Sequence, residues 1–112
     1  MSLTISLDID VDTGGDEEYS VNLHLDSISH SYAALWVKLG AKYLLYECSG
    51  KLAGDLSSDL SKHIDEMLSN SHRYIDLVPR DEYSDFDTAV TYLGNLYRAC
   101  KSHPNATVSV TL

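Results

Sequence analysis

Closely spaced carboxylates near the N-terminus are the first residues of this sequence that could do chemistry. Asp8, Asp10 and Asp12 alternate along the chain and lead into a further acidic run. Carboxylate oxygens at this density are the ligands that Ca²⁺ prefers. A calcium loop of the EF-hand type counted from Asp8 needs glycine at its sixth position and glutamate at its twelfth, where this chain has Thr13 and Tyr19. We therefore interpret the acidic run as a solvated hairpin turn and predict no metal site.

Histidines supply the candidate bases, and they are spread over different predicted elements. No two of them have the four-residue spacing on one helix that is typical of zinc sites. His30 stands at the predicted start of the first helix, where an imidazole either binds a ligand or braces the turn, and bracing is the simpler interpretation. With Asp8 or Asp10 to orient it, His30 could also act as a general base, which requires these groups to lie within hydrogen-bond distance.

Motifs for nucleophilic catalysis and for phosphate binding do not occur in the sequence. There is no Gly-x-Ser-x-Gly elbow and no glycine-rich phosphate loop. Cys48 and Cys100 lack a Cys-x-x-Cys spacing, so we expect them to be buried free thiols. We predict a protein with no catalytic residue and no cofactor.

Alternation of apolar and polar residues identifies the strands that must position these side chains. It runs without a break over residues 3–11 and returns in residues 19–25 and 108–112. Such alternation predicts strands with one buried face. In the second strand it places Leu25 in the core and His24 on the opposite, open face of the sheet. Asp8, Asp10 and Asn22 are expected on that same open face.

A helical region separates the hairpin from the last strand. The first helix is predicted to begin near residues 26–29 and to end at Gly40. Residues 41–46 are ambiguous, and a second short helix is favoured over a buried extended segment. Apolar residues at three- and four-residue steps from Leu52 to Leu68 predict a third helix.

The remainder of this region is expected to be a long loop followed by a last helix. Residues 71–83 contain Pro79 and no sustained periodicity. Residues 84–87 read Ser-Asp-Phe-Asp, a capping box that predicts the start of the last helix. Pro104 is expected to end it.

This order of elements predicts an α+β fold. The sheet is expected to be small and three-stranded, built from the N-terminal β-hairpin and the C-terminal strand, with three to four helices packed on one face. A length of 112 residues, 44% of them hydrophobic, fits one compact domain spanning residues 1–112. The strand order stays open, and an uncovered strand edge is compatible with a homodimer.

The net charge of the chain limits the kinds of partner that the protein is expected to bind. Seventeen acidic residues against eight basic residues give a formal net charge of −9. Such a charge repels phosphate backbones and anionic lipid headgroups, so we expect no direct binding to nucleic acid or to membranes. It suits a partner protein with a basic surface. The sequence contains neither a signal-peptide pattern nor an apolar run of membrane-spanning length, which predicts a cytoplasmic protein.

Four short motifs carry a resemblance to a known group of proteins. They are residues 12–16 (Asp-Thr-Gly-Gly-Asp), residues 28–31 (Ile-Ser-His-Ser), Gly40, and residues 99–110 (Ala-Cys-Lys-Ser-His-Pro-Asn-Ala-Thr-Val-Ser-Val). With these motifs the chain resembles a family of small hypothetical proteins encoded by tailed phages and prophages. The resemblance spans almost the whole chain, although residues 41–83 match only in their helical pattern.

The resemblance implies a biological context but no particular reaction, because the family has no assigned activity. In the relatives the helix start reads Thr-His-Asn, where this chain has Ser29, His30 and Ser31. The histidine is therefore kept and the asparagine amide is replaced. What the resemblance implies is an accessory role in the cytoplasm of a bacterial host.

Two functional hypotheses from different classes follow. The first is a non-enzymatic phage or prophage accessory protein that binds a host or phage protein, or modulates the host, through the polar sheet face or an unpaired strand edge. The alternative is a protein that binds or sequesters a small molecule such as a nucleotide signal, although the sequence has no basic cluster for a phosphate. A histidine-dependent enzyme ranks third. The candidate ligand- or partner-binding residues are His24, His30, Asn22, Asp8 and Asp10.

Overall fold

A computed structural model describes residues 2–12, 18–78 and 86–112, and it confirms the predicted α+β fold. The antiparallel sheet contains β1 (Ser2–Asp12), β2 (Glu18–Ser29) and β3 (Thr107–Thr111) in the order β2-β1-β3. The α-helices of the described residues are α1 (Ala33–Leu39), α2 (Lys42–Tyr46), α3 (Ser57–Ser69) and α4 (Phe86–Ser102). Single 3₁₀ turns lie at His30–Tyr32, Ala53–Asp55, Ser71–Arg73 and Ile75–Leu77. The hairpin and the C-terminal strand therefore share one sheet, with β1 at its centre.

The core lies between the helices and one face of the sheet. Leu3, Ile5 and Leu7 of β1 are fully buried, as the alternation predicts. Above them Trp36 of α1 is also fully buried and stacks on Tyr32 with a ring-centroid distance of 6.2 Å. Each such apolar side chain contributes about 1.5 to 3 kcal/mol through burial, so this layer holds the helices on the sheet.

A β-bulge interrupts the pairing of β1 with β2. Leu7 lies opposite His24, but the next residue, Asp8, lies opposite Asn22. Leu23 therefore has no partner in β1 and is half-buried against the core. An extra residue in one strand inverts the alternation of its side chains relative to the other strand.

The bulge overturns the predicted faces of His24 and Leu25, whereas Asn22 keeps its predicted place on the open face. Because His24 lies opposite the buried Leu7, it shares the helix-covered side of the sheet and is not on the open face. Ile28 is buried on that same side, opposite Leu3. Leu25, which was expected in the core, lies on the open face and is 65% exposed. The sequence pattern does not reveal the bulge, because apolar and polar residues continue to alternate across it.

The first helix begins later than predicted and ends where expected. Residues 26–29 still belong to β2, so the helical region begins at the end of the predicted range, where Ser29 is the N-cap residue. The Ser29 hydroxyl oxygen accepts a hydrogen bond from the Ser31 backbone N–H at 3.2 Å and caps the 3₁₀ turn that precedes α1. Gly40 ends α1 with a φ of 83°, a left-handed conformation that favours glycine. The short helix predicted for residues 41–46 is confirmed as α2.

The third helix also begins later than its apolar pattern suggests. Leu52 is exposed and forms an isolated bridge with Thr107, so it lies outside α3. The backbone N–H of Gly50 donates to the Val108 carbonyl at 2.7 Å, and the segment thereby covers the outer edge of β3. Leu68, at the other end of the predicted face, is exposed. The apolar pattern is therefore correct for the middle of α3 and wrong at both ends.

The predicted long loop is partly ordered by local hydrogen bonds. The buried Tyr74 lies between the two 3₁₀ turns of this segment, and its hydroxyl donates to the Glu66 carboxylate at 2.9 Å. Residues 79–85, which include the first half of the predicted capping box, lie outside the described residues, as does the hairpin turn at residues 13–17. Helix α4 ends at Ser102, before Pro104, as predicted.

Candidate functional site

The predicted site residues do not come together in one place. Asp8 lies opposite Asn22, whereas Ser2 lies opposite Ser29, the residue before His30. The two pairs are six positions apart along β1, which corresponds to roughly 20 Å along the strand. His30 is therefore far from Asp8 and Asp10, and the dyad that a histidine-dependent enzyme would need is not formed.

Asp8 and Asn22 form a built polar pair on the open face. The Asn22 side-chain N–H donates to Asp8 Oδ1 at 3.0 Å and also to the His24 carbonyl at 3.1 Å. The Ser6 hydroxyl donates to Asp8 Oδ2 at 3.2 Å. No cation of the described residues lies within ion-pair distance of this carboxylate. Its charge is thus held in one orientation and is left unneutralised by this part of the chain.

Asp10 continues the acidic surface onto a part of the hairpin that lacks the third strand. The strand β3 pairs with β1 only from Thr4 to Asp8, so residues 9–12 and 18–21 form a two-stranded ribbon, here called the hairpin arm. Asp10 is exposed on the arm. On the opposite face of the arm, the apolar residues Ile9 and Val21 are 37% and 42% exposed. The arm therefore presents the Asp10 carboxylate on one face and two apolar side chains on the other.

His24 and His30 are also separated from one another. His24 lies on the helix-covered side, and its Nε2 atom is buried without a hydrogen-bond partner among the described residues. His30 is six residues further along the chain, just beyond the end of β2. The small-molecule hypothesis counted both histidines in one binding site, and the structure does not bring them together.

His30 braces the end of β2 against α2. Its Nδ1 atom lies 3.1 Å from the hydroxyl oxygen of Tyr46, and the two rings are 5.9 Å apart between centroids. The ammonium group of Lys42 lies 5.9 Å from the centroid of the same tyrosine ring. Burial raises the pKa of Tyr46, so its hydroxyl keeps its proton at neutral pH. This geometry matches the bracing interpretation of His30.

One cavity contains residues that the sequence pattern did not single out. It lies between the end of β2 and the first turns of α4 and has a volume of about 410 Å³. Asp26, Asp87, Thr91 and Tyr92 are among its lining residues. Asp87 and Thr91 are four residues apart on α4 and so share a helix face. No local sequence signal could have assigned Asp26 to this cavity, because Asp26 lies on a distant strand and the face on which it lies depends on the bulge.

The cysteines have the environment of inert thiols. Cys48 and Cys100 are both free and buried, which confirms the prediction. Burial raises the pKa of both thiols, and that of Cys100 reaches about 11. Because the thiolate is the reactive form, neither group is a nucleophile at neutral pH.

Within residues 2–12, 18–78 and 86–112, no three side chains of His, Cys, Asp or Glu are grouped so that they could hold a metal ion. Among the same residues, no helix has both the length and the apolar character needed to cross a membrane. A scan against protein-family models found no match, and searches of the curated proteins and of the solved structures found none either.

Proposed function

We propose that this protein is a non-enzymatic accessory module of a phage or prophage that binds a host or phage protein with a basic surface. The binding surface, here called the partner face, consists of Ser6, Asp8, Asp10, Asn22 and Leu25. The observation that carries the proposal is the Asp8 carboxylate, which Asn22 and Ser6 hold in one orientation with no neutralising cation among the described residues.

A carboxylate held in this way is suited to recognition. Its orientation is already restricted, so a partner's lysine or arginine can pair with it at a small further cost in side-chain entropy. The net charge of −9 also speeds the approach of a basic partner and disfavours acidic ones. Both effects select a basic protein surface.

Leu25 adds an apolar anchor beside the charges. It lies directly opposite Ser6, whose hydroxyl donates to Asp8, and it is 65% exposed. Protein interfaces commonly combine a central apolar side chain with a polar rim, and the apolar side chain contributes much of the binding energy. The partner face has both components within a few residues.

The phage origin and the bacterial host cytoplasm are parts of this proposal, and both rest on the resemblance of the four short motifs given above. Under this proposal the partner is a protein of that host or of the phage. The non-enzymatic part of the proposal is supported by the separation of His30 from Asp8 and Asp10.

Native mass spectrometry of the protein captured from a lysate of phage-infected bacteria tests this proposal. We expect a complex whose added mass is that of a protein, and we expect the complex to dissociate as the salt concentration rises. A retained small molecule with no added protein mass would overturn the proposal in favour of ligand sequestration. Capture of an acidic protein through salt-insensitive contacts would overturn the basic-partner part.

A further inference from the structure

The two edges of the sheet differ in how they are covered. At the outer edge of β3, the backbone N–H of Gly50 donates to the Val108 carbonyl at 2.7 Å, and the Val108 N–H donates to the Lys51 carbonyl at 2.9 Å. At the opposite edge, β2 pairs only with β1 within the described part of the chain. An edge strand of 12 residues leaves a row of backbone donors and acceptors with which another strand can pair.

The residues of β2 restrict which strand can be added at this edge. The strand contains no Lys, Arg or Pro, although lysine and proline are the residues that commonly protect an edge. Its Leu25 side chain is 65% exposed. The charge of Asp26 opposes an added strand, because no cation of the described residues lies within ion-pair distance of this carboxylate. A strand that pairs here must therefore place a cation or a hydrogen-bond donor beside Asp26.

A second copy of β2 meets this condition in one register. When two copies pair antiparallel about a two-fold axis at Leu25, each His24 lies directly opposite Asp26 of the second copy. Side chains in such a pair are about 4.5 to 5.5 Å apart between Cβ atoms, so the imidazole can donate a hydrogen bond to the carboxylate. His24 and Asp26 both lie on the helix-covered side, where the cavity of about 410 Å³ beside Asp26 leaves space for this contact. An axis at Asp26 would instead bring two carboxylates together, which is unfavourable.

We propose that two copies of this chain pair through residues 23–27 of β2 and form a continuous six-stranded sheet, with the two-fold axis at Leu25. The pairing ends at Leu23 because the bulge bends the strand there. The two exposed Leu25 side chains lie side by side on the open face and bury apolar surface against each other. The two partner faces then share one surface of the dimer. The proposal goes beyond the proposed function and needs no other protein, so either one can fail without the other.

Sedimentation equilibrium of the pure protein tests the proposal. The wild type should be a reversible dimer with a Kd of about 10 µM to 1 mM, because a short edge contact buries less area than a standard interface. Leu25→Lys places two like charges at the axis and should weaken the dimer at least about tenfold. The control Leu68→Lys makes the same change of charge at an exposed residue of α3 and should dimerise like the wild type. A monomer at about 1 mM, or equal dimerisation of the two variants, would overturn the proposal.

Cross-linking of cysteine variants tests the register. Dibromobimane joins only thiols that lie side by side, and Leu25→Cys places two new thiols opposite each other, so this variant should give a covalent dimer on a denaturing gel. The matched control Ser27→Cys changes an exposed residue of the same strand that lies opposite Leu23 of the second copy. Its two thiols would be four positions apart, roughly 13 Å, so it should stay monomeric on the gel. The native Cys48 and Cys100 are buried in both variants. Equal cross-linking of the two variants, or no covalent dimer from Leu25→Cys, would overturn the register.

Discussion

Asn22 donates a hydrogen bond to Asp8 across β1 and β2 at 3.0 Å, and this pair exists because Leu23 bulges out of the ladder. In a regular ladder that continued from the Leu7–His24 pair, Asp8 would lie opposite Leu23, and Asn22 would lie opposite Ile9. The bulge thus places an amide beside the carboxylate and pairs Ile9 with Val21 on the other face. A single unpaired residue creates both faces of the hairpin arm.

The inversion of faces in β2 predicts which of its leucine and isoleucine residues stabilises the fold. Ile28→Ala should cost about 2 to 5 kcal/mol of unfolding free energy because Ile28 is buried. Leu25→Ala should change it by no more than about 0.5 kcal/mol because Leu25 is exposed. Urea denaturation of the two variants measures the difference. Equal costs would contradict the bulge.

Two glycines should respond in opposite directions to substitution by alanine. A Cβ atom at Gly54 would lie 2.8 Å from Pro104 Cβ, so Gly54→Ala should destabilise the protein by about 1 to 3 kcal/mol. Gly94 lies within α4, and a Cβ atom added there would meet no neighbouring group within 4 Å. Gly94→Ala should therefore stabilise by about 0.5 to 1 kcal/mol. Thermal unfolding of both variants checks the contrast, and a loss of stability in Gly94→Ala would contradict it.

The contact between His30 and Tyr46 should contribute to stability. Tyr46→Phe removes the hydroxyl that lies 3.1 Å from His30 Nδ1 and should cost about 1 kcal/mol. Tyr43→Phe is the matched control, because Tyr43 is exposed on the same helix. Urea denaturation at neutral pH measures both variants. If the two changed stability equally, the bracing role of His30 would be wrong.

Cys100 should make the protein less stable in alkaline solution. Its pKa rises from 9.0 to about 11 on folding, so the neutral thiol is favoured in the folded state. Well below pH 9 the thiol is neutral in both states and this contribution is complete. Above that pH the unfolded chain ionises first, so roughly 2 to 3 kcal/mol should be lost by about pH 11.

The variant Cys100→Ala separates this effect from other alkaline titrations. The free energy of unfolding, measured by urea denaturation from about pH 8 to about pH 10.5, should fall less steeply in the variant than in the wild type. The alanine lowers stability at every pH because it leaves a cavity, but that offset does not change the slope. Identical slopes would show that Cys100 does not titrate as described.

The elements that depend on local pattern could be predicted from the sequence. Leu3, Ile5 and Leu7 alternate with polar residues in a regular strand, and their predicted burial is confirmed. The predicted helix end at Gly40 is also confirmed, because glycine readily adopts the left-handed conformation that ends α1. The bulge at Leu23 could not be predicted, because it is set by pairing between strands and not by the residue types of β2. Leu52 likewise follows a helical period but pairs with Thr107, a contact between distant parts of the chain.

The candidate site residues likewise divide into those that the sequence could predict and those that depend on the tertiary fold. Asp8 and Asn22 were expected on one face, and the structure brings them into contact there. The expectation for His24 was wrong because the bulge moves it to the other side. The cavity at Tyr92 requires Asp26 from β2 and Asp87 from α4, and only the tertiary fold brings these residues together.

The most direct test of the partner face is the dissociation constant for the captured protein, measured with two charge-matched double variants. Asp8→Asn with Asp10→Asn should weaken binding at least about tenfold at low salt, which is about 1.4 kcal/mol. Asp55→Asn with Asp65→Asn makes the same change of charge on exposed residues in the helical layer and should bind like the wild type. Equal affinities for the two double variants would contradict the role of Asp8 and Asp10 in binding.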